Sequence, residues 1–201
     1  VMQIQRQTLA KVLVAVFAVN LAVMGAGAWL AYEQSPPIPR EVVGPDGETV
    51  ATGSDVRAGK ATFQRNGLMN HGSILGNGAY FGPDYTADAF HLKAEHMREY
   101  YARERYGSAY GELSSERRAV VGQRVEDELS SSAAGSGATI RYSAAERYAH
   151  ERVREIYVER YHEGSAERGV PEGMIESREE ARQFADFALW TAWISHTDRP
   201  G

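Results

Sequence analysis

The segment His91-Leu92-Lys93-Ala94-Glu95-His96 offers the first residues in this chain of the kind that do chemistry. On a helix, His91 and Glu95 fall at i and i+4 and share a face, as two metal ligands would. The spacing still departs from H-E-x-x-H and H-x-x-E-H, because three residues separate His91 from Glu95. His91 and His96 are five apart, which turns them about 140° away from each other around a helix. The expected state is therefore a solvated helix face with one histidine in a local hydrogen bond. A free-standing metalloenzyme built on His91, Glu95 and His96 is the competing reading, and it requires bound metal.

A second candidate is the glycine-rich run from Gly72 to Asp84, GSILGNGAYFGPD. It lacks the Gly-Lys-Ser/Thr ending of a phosphate-cradling loop. Gly76-Asn77-Gly78 is not followed three residues later by the third glycine of a dinucleotide fingerprint. No G-x-S-x-G elbow occurs anywhere in the chain. His71, His150, His162 and His196 have no ligand spacing, and no acidic residues form a recognisable acid/base pair. Catalytic, cofactor-binding and metal-ligating residues are thus expected to be none. The run itself reads as a fixed, irregular loop. Its glycines permit tight turns, and Ile74, Leu75, Tyr80 and Phe81 are expected to anchor it into a core.

Composition narrows the function classes. Lys+Arg 22 against Asp+Glu 27 gives a net charge of −5 over 201 residues. Without a basic, aromatic-laced patch, nucleic acid is not an expected partner. With no cysteine there is no disulfide framework, thiolate metal site, cysteine nucleophile or thioether attachment for a c-type haem.

The elements that must position these residues begin with Val12 to Tyr32, an uncharged stretch whose one strongly polar side chain is Asn20. It is long enough for a bilayer core of about 30 Å. Arg6 and Lys11 before it, with Trp29 and Tyr32 at its far end, put the N-terminus in the cytoplasm and the rest outside. The rival is a cleaved signal peptide ending at Ala26-Gly27-Ala28, which also places the rest outside. Residues 1–34 thus read as an anchor and 35–201 as an extracytoplasmic domain. Ser35-Pro36-Pro37-Ile38-Pro39 is a stiff exit.

Arg40–Val43 and Glu48–Val50, around Pro45-Asp46-Gly47, read as a small hairpin. Ser54–Phe63 reads as a helix capped by Ser54 or Asp55. Ala87–Arg105 places Phe90, Ala94, Met97 and Tyr101 on one helix face, and Ser115–Leu129 does the same with Val121, Val125 and Leu129. Ser130–Gly137 is a low-complexity tip, and Thr139–Tyr142 a short strand. Ser143 with Glu146, and Ser177 with Glu180, make capping-box patterns opening helices to about His162 and His196. The last helix either lies at a membrane surface or forms the core of the outer domain. The chain starts on Val1 and stops at Arg199-Pro200-Gly201, so it reads as part of a longer coding unit.

These blocks, taken in order, resemble a known family. The apolar helix, Tyr32–Pro39, Gly59-Lys60-Ala61-Thr62-Phe63-Gln64, Gly72–Tyr80, Pro83–Asp88 with His91, and Trp190-Thr191-Ala192-Trp193 with Thr197–Gly201 resemble the N-terminal part of quinol-dependent nitric oxide reductase. That enzyme is the single-chain member of the haem-copper oxidase superfamily, and residues 107–173 match it weakly. The resemblance implies a mainly α fold: one transmembrane helix followed by a cytochrome-c-like helical extracytoplasmic domain with a small β-hairpin. It also implies reduction of nitric oxide to nitrous oxide with electrons from quinol. The haem b, haem b3 and non-haem iron would sit in a catalytic membrane bundle beyond this chain, and this domain would be a structural part docking on it. Where a cytochrome c would carry C-x-x-C-H, the chain has Leu68-Met69-Asn70-His71-Gly72, so no covalent haem is implied. Asn77 stands where relatives are expected to have histidine, and Phe90 where tryptophan is expected. The competing reading is a non-catalytic single-pass membrane protein whose outer domain binds a partner or ligand.

Overall fold

The computed structural model describes residues 6–33, 38–79, 81–132 and 139–196. The chain divides into two compact units, Val1–Pro37 and Ile38–Gly201. Residues 34–37 of the expected exit, Tyr80, residues 133–138 of the expected tip and the segment Thr197–Gly201 lie outside the described residues.

The first unit is one helix, α1 (Arg6–Glu33). Its stretch Thr8–Glu33 contains an 18-residue window with a mean hydropathy of 2.1 and is long and apolar enough to cross a membrane. At 1.5 Å per residue it extends about 39 Å, which exceeds the hydrocarbon core. Asn20 does not disturb this, because its amide donates to the Val16 carbonyl one turn back at 2.8 Å.

The second unit is mainly helical. It comprises β1 (Glu41–Val43), β2 (Thr49–Thr52), α2 (Gly53–Arg65), β3 (Ser73–Ile74), β4 (Asn77–Gly78), α3 (Tyr85–Tyr106), α4 (Ser115–Ser132), β5 (Thr139–Arg141), α5 (Ala144–Tyr161) and α6 (Arg178–His196). α2, α3, α5 and α6 enclose a core of stacked and edge-on rings. Phe184 is surrounded by Phe63, Tyr85, Tyr157 and Tyr161 at centroid separations of 6.1, 5.1, 5.3 and 5.4 Å. α6 is thus a core helix, with Phe184, Ala185 and Ala188 fully buried, and a membrane-surface role for it is overturned. α2 crosses α6 at Gly59, where a Cβ would sit only 1.8 Å from the Gln183 carbonyl oxygen. The expected apolar faces of α3 and α4 meet in a second cluster containing Met97, Tyr101, Val121, Val125 and Leu129.

Local rules explain most helix starts. Ser143 and Glu146 form a reciprocal capping box at α5. The α2 cap is Thr52 rather than Ser54 or Asp55. Asp55 is the third helical residue, and its carboxylate reaches back to the Thr52 N–H at 2.8 Å. The expected hairpin exists, with a bulge between Val42 and Val43. It gains a third strand: β5 runs parallel to β1, pairing Val42 with Ile140. This sheet packs under Trp193 and Ile194 of α6.

The glycine-rich loop is held only partly as expected, with Ile74 packed against the main core cluster. Phe81 is 99% exposed and Leu75 46% exposed, so neither anchors it. Instead the loop folds into a miniature hairpin, β3–β4, whose two turn residues Leu75 and Gly76 take φ of 52° and 76°. Positive φ at both positions gives the strand-matched primed turn, although it strains leucine by roughly 1–2 kcal/mol. Asp84 offsets that strain. Its carboxylate accepts from the Ser73 hydroxyl at 2.7 Å, the Gly76 N–H at 2.6 Å and the Ala87 N–H at 3.1 Å, so it ties the turn and caps α3 together. Burial works against the Asp84 charge, but the Gly76, Ser73, Ala87 and Thr86 donors outweigh it and hold the carboxyl below its usual range.

Candidate functional site

The structure does not assemble the metal reading of α3. His91 and Glu95 are both exposed, with His91 Nε2 3.8 Å from a Glu95 oxygen. His96 turns to another side of the helix, half-buried, with Nε2 unpartnered among the described residues. Among the described residues no group of three or more His, Cys, Asp or Glu could hold a metal ion.

The haem-attachment positions of a cytochrome c are likewise unsuited to a porphyrin. In the correspondence the family resemblance implies, with Leu68 at the first thioether cysteine and Gly72 at the axial histidine, Leu68 is fully buried. At Gly72 even a Cβ would lie 2.5 Å from the Pro83 carbonyl oxygen and 2.6 Å from the Tyr85 ring. Tyr85 fills the adjoining space and donates its hydroxyl to the Leu68 carbonyl at 3.1 Å. The residues present therefore do not fit a covalent haem.

What the fold does assemble is a buried, charge-balanced chain of groups between α3, α5 and α6. Lys93 Nζ donates to Glu146 Oε1 at 2.8 Å, with both side chains at least nine-tenths buried. It also lies over the Tyr142 ring, 4.1 Å from the centroid. One turn along α5, His150 Nε2 lies 2.7 Å from Asp186 Oδ1. Arg154 clamps the same carboxylate through Nε at 2.7 Å and Nη2 at 2.8 Å. Further along α5, Arg160 donates to both oxygens of Asp88 on α3, at 2.8 and 3.1 Å.

The electrostatics follow from this geometry. Burial opposes the Lys93 charge, but Tyr142 and Glu146 outweigh it and raise the ammonium above its ordinary range. Burial likewise opposes the Asp186 charge, but His150 and Arg154 overcome it and lower the carboxyl. His150 shifts downward because burial and the nearby Arg154 and Lys93 outweigh the pull of Asp186. At neutral pH, Lys93 and Arg154 are therefore positive and Asp186 negative, while His150 is neutral and donates from Nε2. Its Nδ1 is buried without a partner among the described residues. A lysine held protonated is neither nucleophile nor base, and a guanidinium-clamped carboxylate is a poor proton acceptor. The cluster pins α3, α5 and α6 together.

Sequence reasoning missed this cluster, although a signal was present. Lys93 sits between Leu92 and Ala94, and Asp186 lies inside the run Phe184-Ala185-Asp186-Phe187-Ala188. A charged residue on an apolar helix face is buried with a partner far more often than it is left alone.

The cluster sets a pH dependence. Burial depresses His96, His150 and His196 below the ordinary histidine value. Between their folded values and about 6.5, the unfolded chain binds more protons, so stability rises with pH there. It is fully present above about pH 6.5 and falls as the pH drops, by up to about 1.4 kcal/mol per pH unit for the buried His150 and by less for the half-buried His96 and His196, which water partly screens. Thermal unfolding of the full chain in neutral detergent between pH 5 and 8 measures this. The slope should shrink in His150→Gln, which keeps an N–H for Asp186 but does not titrate. Equal slopes in both proteins would mean that His150 contributes nothing to the dependence.

Residues 39–201 match the family described as the cytochrome c-like domain of the nitric oxide reductase protein NorB. No curated protein matches the chain.

Proposed function

The chain belongs to the family of the NorB cytochrome c-like domain of nitric oxide reductase, and from that premise we propose that it is the N-terminal part or a split subunit of a quinol-dependent nitric oxide reductase. In this reading residues 1–34 anchor the chain in the cell membrane with the N-terminus in the cytoplasm. Residues 35–201 form an extracytoplasmic domain that docks on a catalytic membrane bundle, supplied by the same polypeptide or by a separate one. The bundle belongs to the haem-copper oxidase superfamily and carries haem b, haem b3 and non-haem iron. There two nitric oxide molecules, two electrons and two protons give one nitrous oxide and one water, and quinol leaves as quinone. No residue of this chain touches the reacting atoms.

The observation that carries this reading is the family match over residues 39–201. Leu68 and Gly72 at the haem-attachment positions add to it. They favour a docking element over an electron carrier, because the buried volume beside them is filled by Tyr85 and its ring neighbours.

A pull-down of the tagged full chain from solubilised membranes, with an absorption spectrum of the product, tests the proposal. The expected result is protohaem bands together with a large hydrophobic partner, and consumption of nitric oxide with quinol as donor. A colourless preparation with no partner would support instead a non-catalytic single-pass membrane protein.

A further inference from the structure

α3 and α4 both line an open cavity of about 750 Å³ at the edge of their shared cluster. Sites for small organic ligands span roughly 300–1,000 Å³ and combine an apolar lining with a few polar groups. This cavity fits that description. Its apolar part comes from Phe90 and Ala94 of α3 and from Val125 and Leu129 of α4. Gly122 keeps the α4 wall low, since a Cβ there would meet nothing nearer than the Tyr110 hydroxyl at 4.0 Å.

The polar lining is cationic. Arg98 continues the Phe90–Ala94 stripe by one turn, and Arg118 lines the opposite helix. Neither has a carboxylate partner among the described residues. The contrast singles out Arg98: the other half-buried arginines, Arg152, Arg154, Arg160 and Arg182, each hold one, whereas Arg118 is exposed, like Arg57, Arg117 and Arg141, which also lack one among the described residues. Arg98 is also half-buried, where a guanidinium without a counter-ion is uncommon. Glu126, on the rim, is the one carboxylate of the lining, so two fixed positive charges face one negative charge.

We propose that this groove binds a medium-chain aliphatic carboxylate. The hydrocarbon lies along Phe90, Ala94, Val125 and Leu129, and the head group takes the planar fork of Arg98, with Arg118 adding to the attractive field. The site is independent of the reductase reading, because every lining residue lies within the described part of the second unit.

Photoaffinity labelling of the full chain in neutral phosphatidylcholine nanodiscs tests it. The probe is a diazirine-bearing ten-carbon carboxylate, with its primary amide as the uncharged comparison, and labelled peptides are mapped by mass spectrometry. Label is expected on the segments 90–98 and 118–130, displaced by excess decanoate. Arg98→Gln/Arg118→Gln should reduce carboxylate labelling by about tenfold, equivalent to ~1.4 kcal/mol, and leave amide labelling unchanged. Gly122→Leu, which raises the α4 wall without touching the core, should abolish both. Circular dichroism confirms that each variant is folded. Labelling confined to α1, or equal labelling by acid and amide that the double substitution does not alter, would overturn the proposal.

Discussion

Replacing Asp186 with alanine is expected to destabilise the second unit by about 3 kcal/mol, because it strips the bidentate counter-ion from a buried guanidinium and leaves it only the longer contact to half-exposed Glu151 at 3.3 Å. Arg154 reaches the carboxylate through two nitrogens, and His150 adds a third hydrogen bond. The carboxylate is almost fully enclosed, at 2% exposure. Its removal leaves Arg154 charged in a place water cannot easily fill, and orphans the second nitrogen of His150 as well. A solvent-facing pair provides the control. Arg65, 57% exposed, pairs with Glu180, so Glu180→Ala should cost no more than about 1 kcal/mol. Urea or thermal unfolding of the full chain in neutral detergent, read by near-ultraviolet circular dichroism, compares the two. A loss at Asp186 no larger than that at Glu180 would mean that the cluster is hydrated and weak.

Phe184→Ala should cost a similar amount, about 3–5 kcal/mol, by a different route. The ring is fully buried and meets Phe63, Tyr85, Tyr157 and Tyr161, which come from α2, α3 and α5. These partners cannot collapse into the void easily, since Tyr85 is tied to the Leu68 carbonyl and Tyr157 to the Tyr85 carbonyl. The cavity therefore persists, and its cost adds to the lost transfer energy. The same substitution at Phe81, 99% exposed, should change stability by less than about 0.5 kcal/mol. If the two variants unfold together, the ring cluster is not the core of this unit.

Phe184 also shows where sequence reading succeeds. The spacing of Phe184, Phe187, Ala188, Thr191 and Ile194 marks one face of a helix, and α6 runs from Arg178 to His196 as the pattern requires. The Ser143–Glu146 box opens α5, and Val121, Val125 and Leu129 are all buried in α4. Such features are local: a cap or a 3.6-residue period is satisfied within one or two turns of chain. The glycine-rich loop shows the limit. Of its apolar residues Ile74 does pack on the core, but Phe81 points to solvent and Asp84 ties the turn. A carboxylate that gathers N–H groups leaves no periodic trace, because its partners are set by the path of the turn.

Sequence alone determined the mainly helical class and the uncharged N-terminal helix, since each depends on composition or short-range spacing. It also carried the ordered blocks by which the family is recognised. Tertiary structure decided the rest: the parallel seating of β5 on β1, the meeting of Lys93 with Glu146 across 53 residues, and that of Arg154 with Asp186 across 32. A charge on an apolar face announces that a partner must exist, because desolvation would otherwise forbid it. Which carboxylate answers is settled only when the helices cross.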